Sequence, residues 1–313
     1  MKTGTGTAIA IGGGVLSGLL FLSTLGGPTL IMLQYLSQLP LFAVGLGLGL
    51  GPAIIASVVA SAIPLAVDGP RGLIFVFAHA IPVVVLVRQA LLNRPAAPGA
   101  PGGPAVAEWY PPGPMLVFLS AYAAGAVVLA SLLLSGHEGG MAGAVVELFE
   151  QTLEVLNGES LDQISREAVA AYAFVLPAMI GVSWLIMVAV NGVLAQSLLV
   201  NFGRALRPTP AFAALRLPYW PAYAVGGAAV LWLIAGPGNI GFAAAAVLIV
   251  MLAPFFIQGL TVVHVAVRRI PARLIILIFF YMFLLFLLWP MIAVAVLGLA
   301  EQWLRLRRRL GTT

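Results

Sequence analysis

The chain has no cysteine, a single lysine (Lys2), and 8% charged residues against 62% hydrophobic ones. Without cysteine there are no disulfides, no thiolate nucleophile and no cysteine metal site. Soluble domains carry roughly 25% charged residues, so this chain is far too poor in charge to cover a folded surface in water. From Thr3 to Val67 no side chain carries a charge. Runs near the ~20 apolar residues needed to cross a bilayer recur along the sequence. The expected fold class is therefore all-α, a polytopic transmembrane helical bundle of about ten hydrophobic segments.

The apolar runs are 5–23, 29–47, 52–67, 72–92, 115–134, 168–200, 218–234, 242–267 and 274–300, the last interrupted at Trp289-Pro290. The first is read as a span and not as a cleaved leader, because its basic flank is one lysine. The stretch 94–114 is rich in proline and glycine and reads as a linker, with Trp109 and Tyr110 suited to the headgroup level. The stretch 137–167 differs in kind: it holds Glu138, Glu147, Glu150, Glu154, Glu159, Asp162 and Glu167. Val145, Phe149, Leu153 and Leu156 share one face of a helix there, Asn157-Gly158 stops it, and Ser160–Gln163 opens another.

The net charge of +5 rests on arginine. In a membrane protein such an excess reports orientation, not nucleic-acid binding. Lys2, Arg88, Arg94, Arg204, Arg207, Arg216, Arg268, Arg269 and Arg273 fall on one side if segments one to eight all cross. The positive-inside rule makes that side cytoplasmic. The linker 94–114 is then cytoplasmic and the acidic element 137–167 is an external amphipathic helix. The tail around Arg305–Arg309 returns to the cytoplasm if the last run crosses twice. At about 1.5 Å per residue that run is about 40 Å long, between one crossing and two, and a hairpin at Trp289-Pro290 satisfies the charge rule. Both termini are expected to be cytoplasmic, in a multi-pass protein of the bacterial inner membrane.

Polar side chains inside spans are costly and often functional. Gln34 and Gln38 lie four apart just before Pro40, where a helix bend is expected. His79 lies three residues before Pro82 and reads as a structural hydrogen-bonder or a proton carrier. Asn191 and Gln196 are five apart and do not pair. Gln258, Thr261 and His264 share a face and either join a neighbouring helix or line a polar path. The glycines of "GLGLGLGP" (45–52) supply an uncharged turn, with tight helix packing or a bent helix beside a substrate path as the two readings. Gly6, Ala10, Gly14 and Gly18 form a small-residue stripe on segment one, for packing inside the chain or for docking a membrane partner. There is no paired intramembrane carboxylate, zinc-protease motif, nucleophile elbow or phosphate loop, and the three histidines lie in separate segments. No enzyme activity, cofactor or metal is expected.

The stretch "LSQLPLFAVGLGLGLGPAIIASVVASAI" after a small-residue first helix resembles the start of the substrate-binding S components of energy-coupling-factor vitamin transporters. The pattern covers 5–67, and the six-helix count of that family corresponds to 1–206 here, leaving 207–313 as added hairpins and a basic tail. The elements "LPLF…GLGLGP", "EWYPPGP" and "LGLAEQWLRLRRRL" are similar to the YybS-like family of predicted bacterial membrane proteins. The S-component resemblance implies small-molecule capture or transport, with Gln34, Gln38, His79 and Tyr172 as substrate-binding candidates and the segment-one stripe as a partner face. The ligand itself is unknown. The alternative is a membrane scaffold without transport.

Overall fold

The structure, a computed structural model, describes residues 3–95, 107–157, 175–212, 215–236, 238–287 and 289–311. Tyr172 and the acidic positions 158–167 lie outside the described residues. Among the described residues, 83% are helical. Inside a bilayer no water satisfies the backbone, so an apolar chain must close its own hydrogen bonds, and helices do so. Among the described residues, seven helical segments are long and apolar enough to cross: Gly4–Gly26, Ile31–Leu48, Leu50–Val67, Gly69–Leu91, Pro112–Leu133, Leu176–Asn201 and Asn239–Val267. The pair Arg273–Phe286 and Trp289–Leu304 adds an eighth if it is one span, although it bends by 117° at its break. Trp220–Ala235 is apolar but shorter. The break falls next to Trp289-Pro290, as the sequence predicts.

The chain gathers into two compact units. One takes Met1–Met115 and Ile186–Ala211, the other Leu116–Leu185 and Phe212–Thr313. In the first unit, α1 (Thr3–Leu22) is followed by α2 (Ile31–Tyr35), α3 (Leu39–Leu48) and α4 (Leu50–Val67). The expected bend at Leu39-Pro40 is instead a break at Leu36–Gln38. Pro40 sits in the first turn of α3, where its missing N–H removes no helical bond. The turn expected from "GLGLGLGP" is carried by one residue, Gly49, at φ 106°, a conformation that glycine alone adopts without penalty. Gly45 lies within α3 as a close-approach position: a Cβ there would come within 2.6 Å of Val87 and 3.1 Å of Ala53.

The span Gly69–Leu91 is built from α5 (Gly69–Phe75), a π-helical turn (Val76–Ala80) and α6 (Ile81–Leu91). Asp68 caps α5 by accepting from the Arg71 N–H at 3.4 Å. Beyond α6 the all-α expectation needs one correction. Part of the 94–114 linker forms an antiparallel ribbon, β1 (Asn93–Pro95) with β2 (Ala107–Trp109), Arg94 opposite Glu108. The Arg94 Nε donates to Glu108 at 2.8 Å and the Tyr110 N–H to the Leu92 carbonyl at 2.9 Å. The ion pair holds the Glu108 carboxyl below and the Arg94 guanidinium above their ordinary values. Charge pairing and a backbone ladder outweigh the loop-forming composition there.

The remaining helices are α7 (Pro112–Leu133), α8 (Gly140–Asn157), α9 (Leu176–Asn201), α10 (Trp220–Ala235), α11 (Asn239–Val267), α12 (Arg273–Phe286), α13 (Trp289–Leu304) and α14 (Leu306–Gly311). In the second unit, Asn239 ties three helix ends together. Its Oδ1 accepts from the Met141 N–H at 3.2 Å and from the Ser131 hydroxyl at 3.1 Å, and its Nδ2 donates to the Ser131 carbonyl at 2.9 Å. Helices α11 and α13 cross where Gly259 meets Gly298. A Cβ on Gly298 would overlap the Phe255 carbonyl and lie 2.6 Å from the Gly259 nitrogen. Gln258 spans the crossing, accepting from the Leu217 N–H at 3.3 Å and donating to the Gly298 carbonyl at 3.1 Å. Of the two roles the sequence leaves open for Gln258, the structure places it in helix joining.

Candidate functional site

The break at Leu36–Gln38 interrupts a helix in a run without charge, and its carbonyls need donors from elsewhere. The Leu36 carbonyl accepts from the Leu39 N–H at 3.0 Å. The Tyr35 carbonyl accepts from Asn191 Nδ2 at 2.7 Å, and the Ser37 carbonyl from the Ser17 hydroxyl at 2.6 Å. Side chains of α9 and α1 thus replace the helical donors that the break removes.

A second irregularity faces it. Pro82 has no N–H for the carbonyl four residues back, on Ala78, and this lies in the π-helical turn. Gln38 Nε2 donates to that Ala78 carbonyl at 3.1 Å. Ser37 Oγ and His79 Nδ1 share a hydrogen bond at 3.0 Å. The His79 ring stacks on Phe75, centroids 5.2 Å apart and 4° from parallel, and meets Phe21 edge-on at 5.0 Å. Two broken helices are therefore clasped through their irregular turns by one serine, one glutamine and one histidine.

The cluster is dry. Ser17, Ser37 and Gln38 are fully buried, Asn191 is 2% exposed and His79 is 5% exposed. A serine beside a histidine is the geometry of a nucleophile and its base, but both side chains are buried here. Two atoms are left over. Gln38 Oε1 and Asn191 Oδ1 are buried and accept no hydrogen bond. Each forgoes a bond whose loss is unfavourable by roughly 1–3 kcal/mol.

The sequence candidates separate in space. Gln38 and His79 belong to the cluster. Gln34 is half-buried on α2, and the break divides it from Gln38, so their four-residue spacing does not place them on one continuous helix face. Tyr172 is outside the described residues. Asn191, Ser17 and Ser37 join the cluster without having been singled out for it. Their only signal in the sequence is polarity within an apolar run, and the sequence weighs Asn191 against Gln196 alone. Gln196 instead donates to the Arg207 carbonyl at 2.8 Å.

In the segment-one stripe, Ala10, Gly14 and Gly18 are buried and Gly6 is half-exposed. Gly14 and Gly18 lie against Ala56, Val59, Ala60 and Ile63 of α4, so that part of the face is occupied within the chain. At the end of α7, His137 Nε2 pairs with Glu147 at 2.9 Å and Nδ1 bonds the Glu138 carbonyl at 2.9 Å. The Glu138 carbonyl and then Glu147 raise the imidazole above its ordinary value. Among the described residues no three metal-binding side chains come together.

Residues 15–301 match the model of a family described as "Predicted membrane protein (DUF2232)". No curated protein and no solved structure matches the chain. The match runs from the middle of α1 into the last turn of α13, across both broken helices of the polar cluster and the glycine crossing of α11 with α13. With that extent of agreement, and with seven membrane-length apolar helices behind it, the chain belongs to this family of predicted membrane proteins.

Proposed function

We propose that this protein captures or carries a small polar molecule across or at the membrane, and that the ligand is held at the helix break by donors directed at Gln38 Oε1 and Asn191 Oδ1. The observation that carries the reading is the pair of buried, unpartnered amide oxygens beside a discontinuous helix. Discontinuous spans supply membrane transporters with backbone and side-chain ligands at mid-depth, and buried acceptors without donors are rare unless a ligand or water completes them. The ligand on this reading carries N–H or O–H groups, or is a cation, because both open positions are acceptors. The resemblance of 5–67 to S components points the same way. Neither Ser37 nor His79 is assigned catalysis.

The test is retention. Protein purified in mild detergent should carry a small molecule that mass spectrometry identifies after denaturation. Gln38→Leu and Asn191→Leu, if they remain monodisperse, should lose it at least tenfold. A wild-type protein with no bound small molecule, or variants that retain it fully, would sink the reading. A scaffold role draws on α12, where Leu284 is the single buried residue and Phe279, Leu285 and Phe286 are more than 70% exposed. Co-purification of membrane proteins without a small molecule would favour that role.

The proposed topology has ten crossings, the last two formed by α12 and α13, with both termini in the cytoplasm of a bacterial inner membrane and α8 lying outside as an amphipathic helix. Reporter fusions at Lys2 and after Leu310 should give cytoplasmic signals at both ends. A reporter read outside at the C-terminal fusion alone would reduce the last run to one crossing.

A further inference from the structure

Helix α13 has two unlike faces. Val294, Ala295, Gly298, Glu301 and Gln302 are buried, and Gly298 meets the backbone of α11. Ile292, Val296 and Trp303, spaced by four and then seven residues, share the other face and are 63%, 55% and 57% exposed. In a bilayer such a face meets acyl chains. Glu301 is the one carboxylate of α13 and α14, and it is already engaged. It is buried, and it accepts from the Arg307 Nε at 2.9 Å and from the Arg307 N–H at 3.2 Å. That pair ties α14 to the end of α13.

Arg305 makes the turn between the two helices at φ 49°, and among the described residues it is the one non-glycine at positive φ. Glycine fits that backbone without penalty, and other residues seldom adopt it. The Arg305 carbonyl accepts from the N–H groups of Arg308 at 3.0 Å and Arg309 at 3.4 Å. The turn brings Arg305, Arg308 and Arg309 around one cavity of about 490 Å³, whose other walls are Trp303 and Leu304. Among the described residues no carboxylate lines it. Three arginines around one space raise its positive potential, and an anion between them relieves their repulsion. A guanidinium is a planar fork whose shape matches two phosphate oxygens, and tryptophan at a helix end favours the depth of lipid headgroups.

We propose that this cavity binds the headgroup phosphate of one anionic phospholipid, held by Arg305, Arg308 and Arg309, with the acyl chains lying along Ile292, Val296 and Trp303. The exposed apolar face selects a lipid over a soluble phosphate compound, because it runs along α13 to the cavity wall at Trp303. Groups of about four or more basic residues at the end of a span attract anionic headgroups, and the turn with α14 supplies Arg305, Arg307, Arg308 and Arg309. The site shares no residue with the helix break and needs only that α13 ends at a bilayer surface, in either leaflet. Neither the capture reading nor the direction of the termini bears on it.

For the test, the full chain is placed in nanodiscs of equal phosphatidylglycerol and phosphatidylcholine, and lipid retained after release is counted by native mass spectrometry. The wild type should keep one phosphatidylglycerol in preference to phosphatidylcholine. An arginine near an anionic surface is worth about fivefold in affinity, so Arg305→Gly combined with Arg308→Gln and Arg309→Gln should lower the preference by about tenfold or more. Arg305→Gly alone suits the backbone at φ 49°. It should keep or raise the unfolding temperature in detergent while lowering the preference by about fivefold, a split that a merely structural turn would not give. Arg268→Gln with Arg269→Gln and Arg273→Gln removes the same charge elsewhere and should leave the preference unchanged. If the variant with all three tail substitutions does not fold, Arg305→Gly decides alone. No preference in the wild type, an equal loss in the Arg268, Arg269 and Arg273 variant, or full preference in a folded tail variant would overturn the proposal. So would inorganic phosphate that stabilises the delipidated protein as much as phosphatidylglycerol does, which would give the cavity to a soluble phosphate.

Discussion

Gly298→Ala is expected to abolish stable folding in detergent, or to destabilise the protein by about 3 kcal/mol or more, at the upper end of what overpacking does. The added methyl has nowhere to go. Its neighbours are the Phe255 carbonyl and the Gly259 nitrogen of α11, which are backbone atoms and cannot rotate aside as a side chain does. Separating the helices would also break the Gln258 bond to the Gly298 carbonyl. Helices in lipid gain little from burying apolar surface, because the lipid tails are equally apolar, so their association rests on close packing and a few polar bonds. The control is Gly226→Ala on α10, where a Cβ meets nothing within 4 Å. There the change removes a flexible residue from a helix and is expected to be neutral or to stabilise by roughly 0.5–1 kcal/mol. Thermal unfolding of both variants checks the pair. A Gly298→Ala midpoint within a degree of the wild type would show that α11 and α13 do not approach as described.

Gly14→Leu is the second large effect expected, a loss of about 1–3 kcal/mol or more. A Cβ on Gly14 would stand 2.5 Å from the Ala56 carbonyl and 2.9 Å from Val59 Cβ, and leucine adds three further carbons in the same direction. Gly12, two residues earlier on α1, is exposed and has nothing within 4 Å, so Gly12→Leu should cost almost nothing in an apolar surround. A drop in the unfolding temperature for Gly14→Leu alone marks the stripe as an internal seam between α1 and α4. Unchanged stability, with loss of a co-purifying membrane protein, would mark it as a docking face instead.

Much of the fold was legible because the bilayer leaves few choices. A charge-free apolar run must be helical, and Asp68, Pro40 and Trp289-Pro290 lie at or beside helix boundaries as their chemistry requires. The errors are local. The bend expected at Leu39-Pro40 moved to Leu36–Gln38, because a proline is better tolerated in the first turn of a new helix than inside an old one. The ribbon of β1 and β2 was hidden because its pairing depends on Arg94 meeting Glu108 across a stretch whose composition reads as linker.

The sequence by itself determined that the protein lives in a membrane, roughly where its helices begin and end, and that a handful of polar residues would lie where water is absent. Only the tertiary structure decided what those residues do. Ser17 reaches Ser37, Ser37 reaches His79, and Asn191 reaches Tyr35, across 20, 42 and 156 positions of the chain. Helical periodicity fixes which residues share a face, but it does not fix which face turns toward which neighbour. That rotation is set by close contacts between helices, such as Gly14 against Ala56 and Gly298 against Phe255, and it decides which amide oxygens are left without a donor.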